Sequence, residues 1–469
     1  MTKSQHLGTP IGQTVARRFA KYAASLRSAG IPETTRHNAK RCLLDWYAGT
    51  ISGGMQPPAT LIAKALCGSG QGNARLIPTG ALIDARSAAL INGAASHTVE
   101  VDDIFSPGLY HPGSPVISSA LAMADDIGAG GSELLMAIVA GYEISNRIAR
   151  TVNPAHYTYW HTTATVGHFG AAVAAGVLLR LSEEQLAHAL SSVASFAAGL
   201  RQAFASDAMG KAFHVGRAAE AGVLGALAAK NGVTGVPDMF EGERGFGSAM
   251  SSAVDWGEAY ADIDTTFTID QTTQKAHACC GHTFAAIDAT RALVRDHALA
   301  ADDVATIRVA TYKAGVEICG NGNPQTAYEA KFSLPYVVAL AALGWMTGPQ
   351  SFSNELLQHG GLRSMMARVI VSVDDACQSV FPNHRAAHVE IETIDGRRLA
   401  YFQRSRRGDP DEPLTDSELE EKFLHLVVPI VDDEFARALV SRIWAIDRLH
   451  NISVVNSEFA ANVVSSAAE

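Results

Sequence analysis

Cysteine is scarce in this chain, six in 469 residues, and no CxxC pair occurs. Neither a disulfide framework nor a structural zinc site of ordinary spacing is expected. Long apolar runs are missing too. The longest, residues 334–346, falls short of the roughly 20 residues a membrane helix needs. Positive charge is in deficit, with 37 Lys and Arg against 47 Asp and Glu, a formal net charge of -10. That excludes nucleic acid or an anionic membrane as the main partner, and leaves room for a small anionic substrate in a local basic pocket. The first ten residues are polar and show no targeting signal, so the expected compartment is the cytoplasm. There is no GxxxxGK[ST] loop and no GxSxG elbow, and the GSGQG run at Gly68 follows no strand. There is no HExxH either. The single HxxxH pair, His384 and His388, runs into an expected strand, which would hold the rings too far apart to share an ion. No metal and no cofactor are expected.

What is present is an ordinary globular composition, 47 % hydrophobic and 18 % charged, with length for two or three domains. Residues 11–70 read as mainly helical, with breaks at Gly53-Gly54 and Pro57-Pro58. Residues 85–200 are rich in Ala, Gly, Ser and Leu, which suits closely packed helices. Ser132 is expected to cap one helix, a loop over 151–170 to interrupt, and Ser182-Glu-Glu-Gln to open another as a capping box. Beyond residue 268 the pattern changes. Residues 305–312 and 367–373 are β-branched and alternate, and 388–402 read as a hairpin turning at Asp395-Gly396. Residues 404–413 read as a charged linker, after which the chain returns to helix. The expected fold is mainly α with an inserted α+β domain. The helical-bundle domain comes from residues 1–268 and 404–469, and the α+β domain from 269–403.

The most unusual stretch is residues 92–115, NGAASHTVEVDDIFSPGLYHPGSP. It holds His97, His111, Glu100, Asp102 and Asp103. Buried carboxylates are costly unless paired, so this is either a solvated helix end or the wall of a polar pocket. Further groups stand near turns: His161, Lys211, His214, Lys275, His282, Lys331 and Tyr336. Histidines move protons near neutral pH. Lysines hold carboxylates and stabilise the charge that develops when a proton leaves the carbon beside one. Plainer roles compete. His97 equally reads as a satisfied structural histidine, His168 as a packing residue, and Arg217 with Glu220 as a surface pair.

Several ordered motifs together resemble the MmgE/PrpD family, which contains 2-methylcitrate dehydratases, cis-aconitate decarboxylases and an iminodisuccinate epimerase. They are NGAASHTVEVDD with HPGSPV, GYEISNRI, WHTTATVGHFGAA, KAFHVGRAAEAG, EGERGFG, KAHACCGHTFAAIDA, AKFSLPYVVAL and PLTDSELEEKF. They cover nearly the whole chain. The resemblance implies a large all-α domain, a smaller α+β lid domain with the active site between them, a homodimer, and no metal. It implies catalytic roles for Asp102 or Asp103, His111, His161, Lys275 and His282, and substrate contacts for Lys211, His214, Glu100 and Tyr336. Glu100 stands where the family often has aspartate, and Ile104 where it has threonine, which removes one hydroxyl from the substrate's surroundings. The expected reaction is a lyase step on a small di- or tricarboxylate, dehydration of a 2-methylcitrate-like acid first. Epimerisation, cis-aconitate-type decarboxylation and non-catalytic carboxylate binding are the alternatives.

Overall fold

A computed structural model of the protein describes residues 13–66, 71–206 and 208–464. The polar stretch 1–10, Gly68 and the last residues of the C-terminal segment lie outside the described residues. The chain divides into two compact units, Met1–Thr273 with Asp416–Glu469, and Gln274–Thr415. Among the described residues no helix is long and apolar enough to cross a membrane.

The first unit is helical. Its elements in order are α1 (Val15–Ala29), α2 (Glu33–Gly54), α3 (Ala59–Ala65), a two-strand ladder of β1 (Ala74–Arg75) and β2 (Leu82–Ile83), α4 (Ala85–Thr98), α5 (Gly113–Ile127), α6 (Gly131–Val152), α7 (Thr162–Leu178), α8 (Glu183–Ala194) and α9 (Gly210–Lys230). Helices Asp416–Val427 and Asp433–Trp444 from the far end of the chain complete it. Local chemistry sets several starts. Asp84 caps α4 by accepting from the backbone of Arg86 and Ser87. Ser182 and Gln185 close the expected capping box on α8, each accepting from the other's backbone N–H.

Helix α9 lies against α4 and α7. The closeness depends on Gly216, where an added Cβ would stand 2.2 Å from the Leu90 carbonyl oxygen. Helix α2 ends at Gly54, at the expected break, and a Cβ at Gly53 would meet the Ala95 carbonyl oxygen at 2.0 Å, so that glycine also serves close packing. Two expectations need correcting. Ser132 lies inside α6, where its hydroxyl donates to the Asp447 carbonyl at 2.9 Å, and Glu133 accepts from the Gly130 N–H instead. The loop before α7 ends at His161, since nothing after it interrupts a helix, so His168 is helical and buried, its Nδ1 2.7 Å from the Ala164 carbonyl.

The second unit carries a four-stranded sheet in the order β4 (Val369–Val373), β3 (Val304–Thr311), β5 (Ala387–Thr393), β6 (Arg398–Gln403). β3 is parallel to β4 and antiparallel to β5, and β5–β6 is the hairpin, its turn closed by a Gly396 N–H bond to the Thr393 carbonyl. Along β5 residues 387, 389, 391 and 393 are buried in alternation. The helix Phe284–Asp296 packs on β5 and β6, and the apolar helix Leu334–Ala342 packs on that helix. The stretch 404–413 is not a free linker. Ser405 and Arg406 are buried, Arg406 is clamped by Asp409, and the Gln274 N–H donates to the Gly408 carbonyl at 3.0 Å. Arg406 and Asp409 satisfy each other, and Asp411 lies 3.4 Å from His384, which is why a solvated reading of the sequence fails there.

Candidate active site

The end of α4, the turn that follows it, and the start of α5 bring together most of the polar groups of residues 92–115. Asp102 is the hub. Its Oδ2 lies 2.6 Å from His97 Nδ1, 3.3 Å from His111 Nδ1, and accepts from the Ser114 hydroxyl at 3.0 Å. His111 Nδ1 also lies 2.8 Å from the Asp103 backbone carbonyl. Both atoms around that nitrogen are acceptors, so Nδ1 carries a proton and Nε2 is the atom that can take one up or give one away. The same reasoning gives His97 a proton on Nδ1. Its Nε2 is buried with no hydrogen-bond partner among the described residues. The His111 side chain is 18 % exposed and that of His97 0 %, so His111 is the accessible member of the pair.

Asp103 has a different task. Oδ1 accepts from the Gly113 N–H at 2.9 Å and Oδ2 from the Tyr142 hydroxyl at 2.7 Å. Burial pushes this carboxyl up to about 7, against the lowering effect of the Tyr142 bond and with Asp45 adding to the rise. It pins the turn to α5 and α6 through one bond to each oxygen. Tyr142 had no signal in the sequence, because a tyrosine inside GYEISNRI looks like any core residue of a helix.

His161 precedes α7, with its N–H donating to the Gly199 carbonyl at 2.9 Å. Its ring stacks near His97 at 5.7 Å, stands 5.8 Å from His214 and meets Phe204 edge-on at 4.9 Å. Burial holds its imidazole well below the usual range, and the neighbouring His97, Lys211, His214 and His111 reinforce that. It is therefore neutral at physiological pH, and its Nδ1 is buried without a partner among the described residues. His214 is lowered in the same sense, by burial and by His97.

Lys211, in the first turn of α9, is ion-paired with Glu100. Burial works to lower its ammonium, but the Glu100 charge and hydrogen bond outweigh that and raise it, so Lys211 remains a cation. Glu100 makes this bond from a left-handed backbone, φ 61°. A non-glycine residue there costs on the order of 1–2 kcal/mol, the kind of strain that collects at working sites. Glu100, Asp102, Asp103, His111, His161, Lys211 and His214 thus gather in the first unit. His97, Asp102 and His111 place one ligand-type atom each within 4.8 Å of one another. Both ring Nδ1 atoms are already turned to the Asp102 carboxylate, an arrangement suited to holding protons.

Lys275, His282 and Tyr336 belong to the second unit. Lys275 is buried. His282 Nδ1 is 2.6 Å from the Tyr312 hydroxyl, a partner that the sequence did not suggest. Tyr336 is fully buried, its hydroxyl donating to the Ser351 carbonyl at 2.7 Å and its ring 5.8 Å from that of Phe352.

The sequence model of the MmgE/PrpD N-terminal domain matches residues 17–259, and that of the MmgE/PrpD C-terminal domain residues 277–446. Among curated proteins, a cis-aconitate decarboxylase-like protein of Aspergillus oryzae is 25 % identical, over 95 % of this chain and 97 % of its own length. The cis-aconitate decarboxylase of Homo sapiens is 25 % identical over 83 % of this chain and 80 % of its own. That of Aspergillus terreus is 24 % identical over 94 % of each.

Proposed function

Since this chain belongs to the MmgE/PrpD family, we propose that it is a lyase acting on a small tricarboxylate of the cis-aconitate class, with its own side chains carrying the proton. The observation that carries this reading is the Asp102 carboxylate held between His97 Nδ1 and His111 Nδ1. A carboxylate behind an imidazole fixes its tautomer and stabilises its charged form, so one histidine can take up a proton and hand it on. In a β,γ-unsaturated acid the bond to the departing carboxylate breaks and releases carbon dioxide. Its electron pair becomes the new alkene, and the former alkene pair takes a proton at the carbon beside a second carboxylate. His111, charged against Asp102, is the proposed donor. Lys211, kept cationic by Glu100, offsets the charge that builds on the substrate.

Dehydration of a 2-methylcitrate-like hydroxy acid is the second reading. It is favoured by His161, whose neutral imidazole suits a base that removes the proton beside a carboxylate. The proposed partner is a second copy of the chain. Exposed Phe196, Leu200 and Leu224 line a cleft of about 670 Å³ in the first unit, which supports an apolar contact and is checked by sedimentation.

The test is a panel of cis-aconitate, 2-methylcitrate and related acids in deuterated water, followed by proton NMR and carbon dioxide release. Carbon dioxide with one deuterium in an alkene product supports decarboxylation. New alkene without carbon dioxide supports dehydration. Deuterium exchange with neither means epimerisation, and carboxylate binding with no turnover of any acid defeats the lyase reading.

A further inference from the structure

One lysine stands on the apolar face of its helix. In the helix Asp416–Val427, Leu419, Phe423 and Leu426 are buried at helical spacing and form the core-facing stripe. Lys422 falls on that stripe, one turn from Leu419 and one from Leu426, and its side chain is only 11 % exposed. Its ammonium is ion-paired with Asp45 of α2, whose side chain is 1 % exposed. A buried ion pair is a poor source of stability, because the cost of desolvating both charges offsets their attraction. The other bond of the ammonium shows what the pair holds besides itself. Lys422 Nζ donates to the Val101 carbonyl at 2.9 Å.

Val101 is the residue before Asp102. A peptide unit is planar, so the direction of the Val101 carbonyl also sets where the Asp102 Cα lies. A donor that grips this oxygen therefore aims the Asp102 side chain. The aim has to be close, since Asp102 Oδ2 meets His97 Nδ1 at 2.6 Å, the Ser114 hydroxyl at 3.0 Å and His111 Nδ1 at 3.3 Å. The turn also starts from a strained point, the left-handed backbone of Glu100 at φ 61°, and such a conformation persists only where its surroundings hold it. Helix α2 supplies part of that hold. The Val101 side chain is buried, and a Cβ added at Gly49, one turn along α2 from Asp45, would lie 3.4 Å from its Cγ2. The same helix thus seats the Val101 side chain and, through Asp45, places the ammonium that holds the Val101 carbonyl.

We propose that Lys422 is a positioning residue: its ammonium, set by Asp45, fixes the Val101–Asp102 peptide so that the Asp102 carboxylate bridges His97 and His111. Its effect on rate rests on the reading of Asp102 and His111 as the proton path; its effect on the Asp102 contacts does not.

The test uses the full-length chain. Lys422→Met alone would strand the Asp45 charge, so the pair is removed together, Asp45→Asn with Lys422→Met, which leaves no unpaired buried charge. On the substrate found in the panel this double variant is expected to lose about tenfold to a hundredfold in kcat, with KM within about threefold of wild type. Made in an Asp102→Asn background, the same two changes are expected to cost less than about threefold, because the group they aim is already gone. An equal loss in both backgrounds, or no loss in either, overturns the proposal. A second readout needs no turnover. In protein carrying isotope-labelled histidine, the ring-nitrogen NMR signals of His97, assigned through His97→Gln, are expected to move in the double variant. Signals at their wild-type positions in the folded variant overturn the proposal. Lys422→Arg keeps the charge but displaces the donor, and is expected to move the same signals; it decides the matter if the double variant does not fold. If no acid in the panel turns over, the lyase reading fails and the His97 spectra alone decide the role of Lys422.

Discussion

The Asp102 carboxylate accepts the Nδ1 proton of His97 at 2.6 Å, and that bond leaves His97 Nε2 buried with no partner among the described residues. A buried acceptor left open is costly unless the arrangement serves something else. Here it holds the Asp102 carboxyl oriented toward His111, 3.3 Å away on the other side. In the proposed reaction His97 is a positioning residue, and Asp102 holds the Nδ1 proton of both rings.

Replacing Asp102 by Asn keeps an acceptor for Ser114 but removes the charge behind His111. Turnover should fall by about 10²–10⁴ with little change in KM. Steady-state kinetics on the substrate found in the panel check this. A fall of less than about threefold would remove Asp102 from the proton path.

Glu100 raises the Lys211 ammonium against burial, which works to lower it. In Glu100→Gln the opposing effect goes and burial dominates. Lys211 then loses its proton at lower pH, and the alkaline limb of kcat/KM should move to lower pH. A pH profile of both proteins reads the shift. An unmoved limb would mean that Lys211 carries no charge that the reaction uses.

The sequence exposed some of this and hid the rest for physical reasons. Ser182 and Gln185 stand at capping-box spacing, and Asp395-Gly396 sits between two alternating runs, so α8 and the hairpin were legible from local chemistry. His111, His161 and Lys211 stood out because ionisable groups beside small residues seldom belong to a core. The division of labour between Asp102 and Asp103 was not legible. It depends on Tyr142, 39 residues away, reaching Asp103 at 2.7 Å, and a helical tyrosine gives no sign of its partner. The stretch 404–413 misled for the same reason: charges that pair with each other look, in sequence, like charges that face water.

Asp103 gives a stability signature. Its folded-state value is about 7, raised by burial, against about 3.9 for an unfolded aspartate. Between those values the folded protein binds more protons than the unfolded one, so stability falls as pH rises from about 4 to about 7. Asp103→Asn lacks this term. The difference in urea midpoint between the two proteins should change by the equivalent of a few kcal/mol at most across that window. The buried His156 and His168, both at about 4, act in the opposite sense as pH falls below 6.5, but they are common to both proteins and cancel. A pH-independent difference would place Asp103 in the ordinary carboxylate range.

Gly113 has no room for a side chain. A Cβ there would lie 2.8 Å from both Asp103 Oδ1 and the Tyr142 hydroxyl. Gly113→Ala should cost about 1–3 kcal/mol in chemical denaturation and lower turnover by displacing the turn that carries His111. Wild-type stability and rate together would mean that this turn is free to shift without consequence.

The most direct test of the central claim is solvent deuterium incorporation at the carbon beside a substrate carboxylate, compared between the wild type and His111→Gln. The account predicts incorporation by the wild type and a loss of at least about a hundredfold in the variant, with its fold intact. Incorporation at the full wild-type rate in His111→Gln would contradict it.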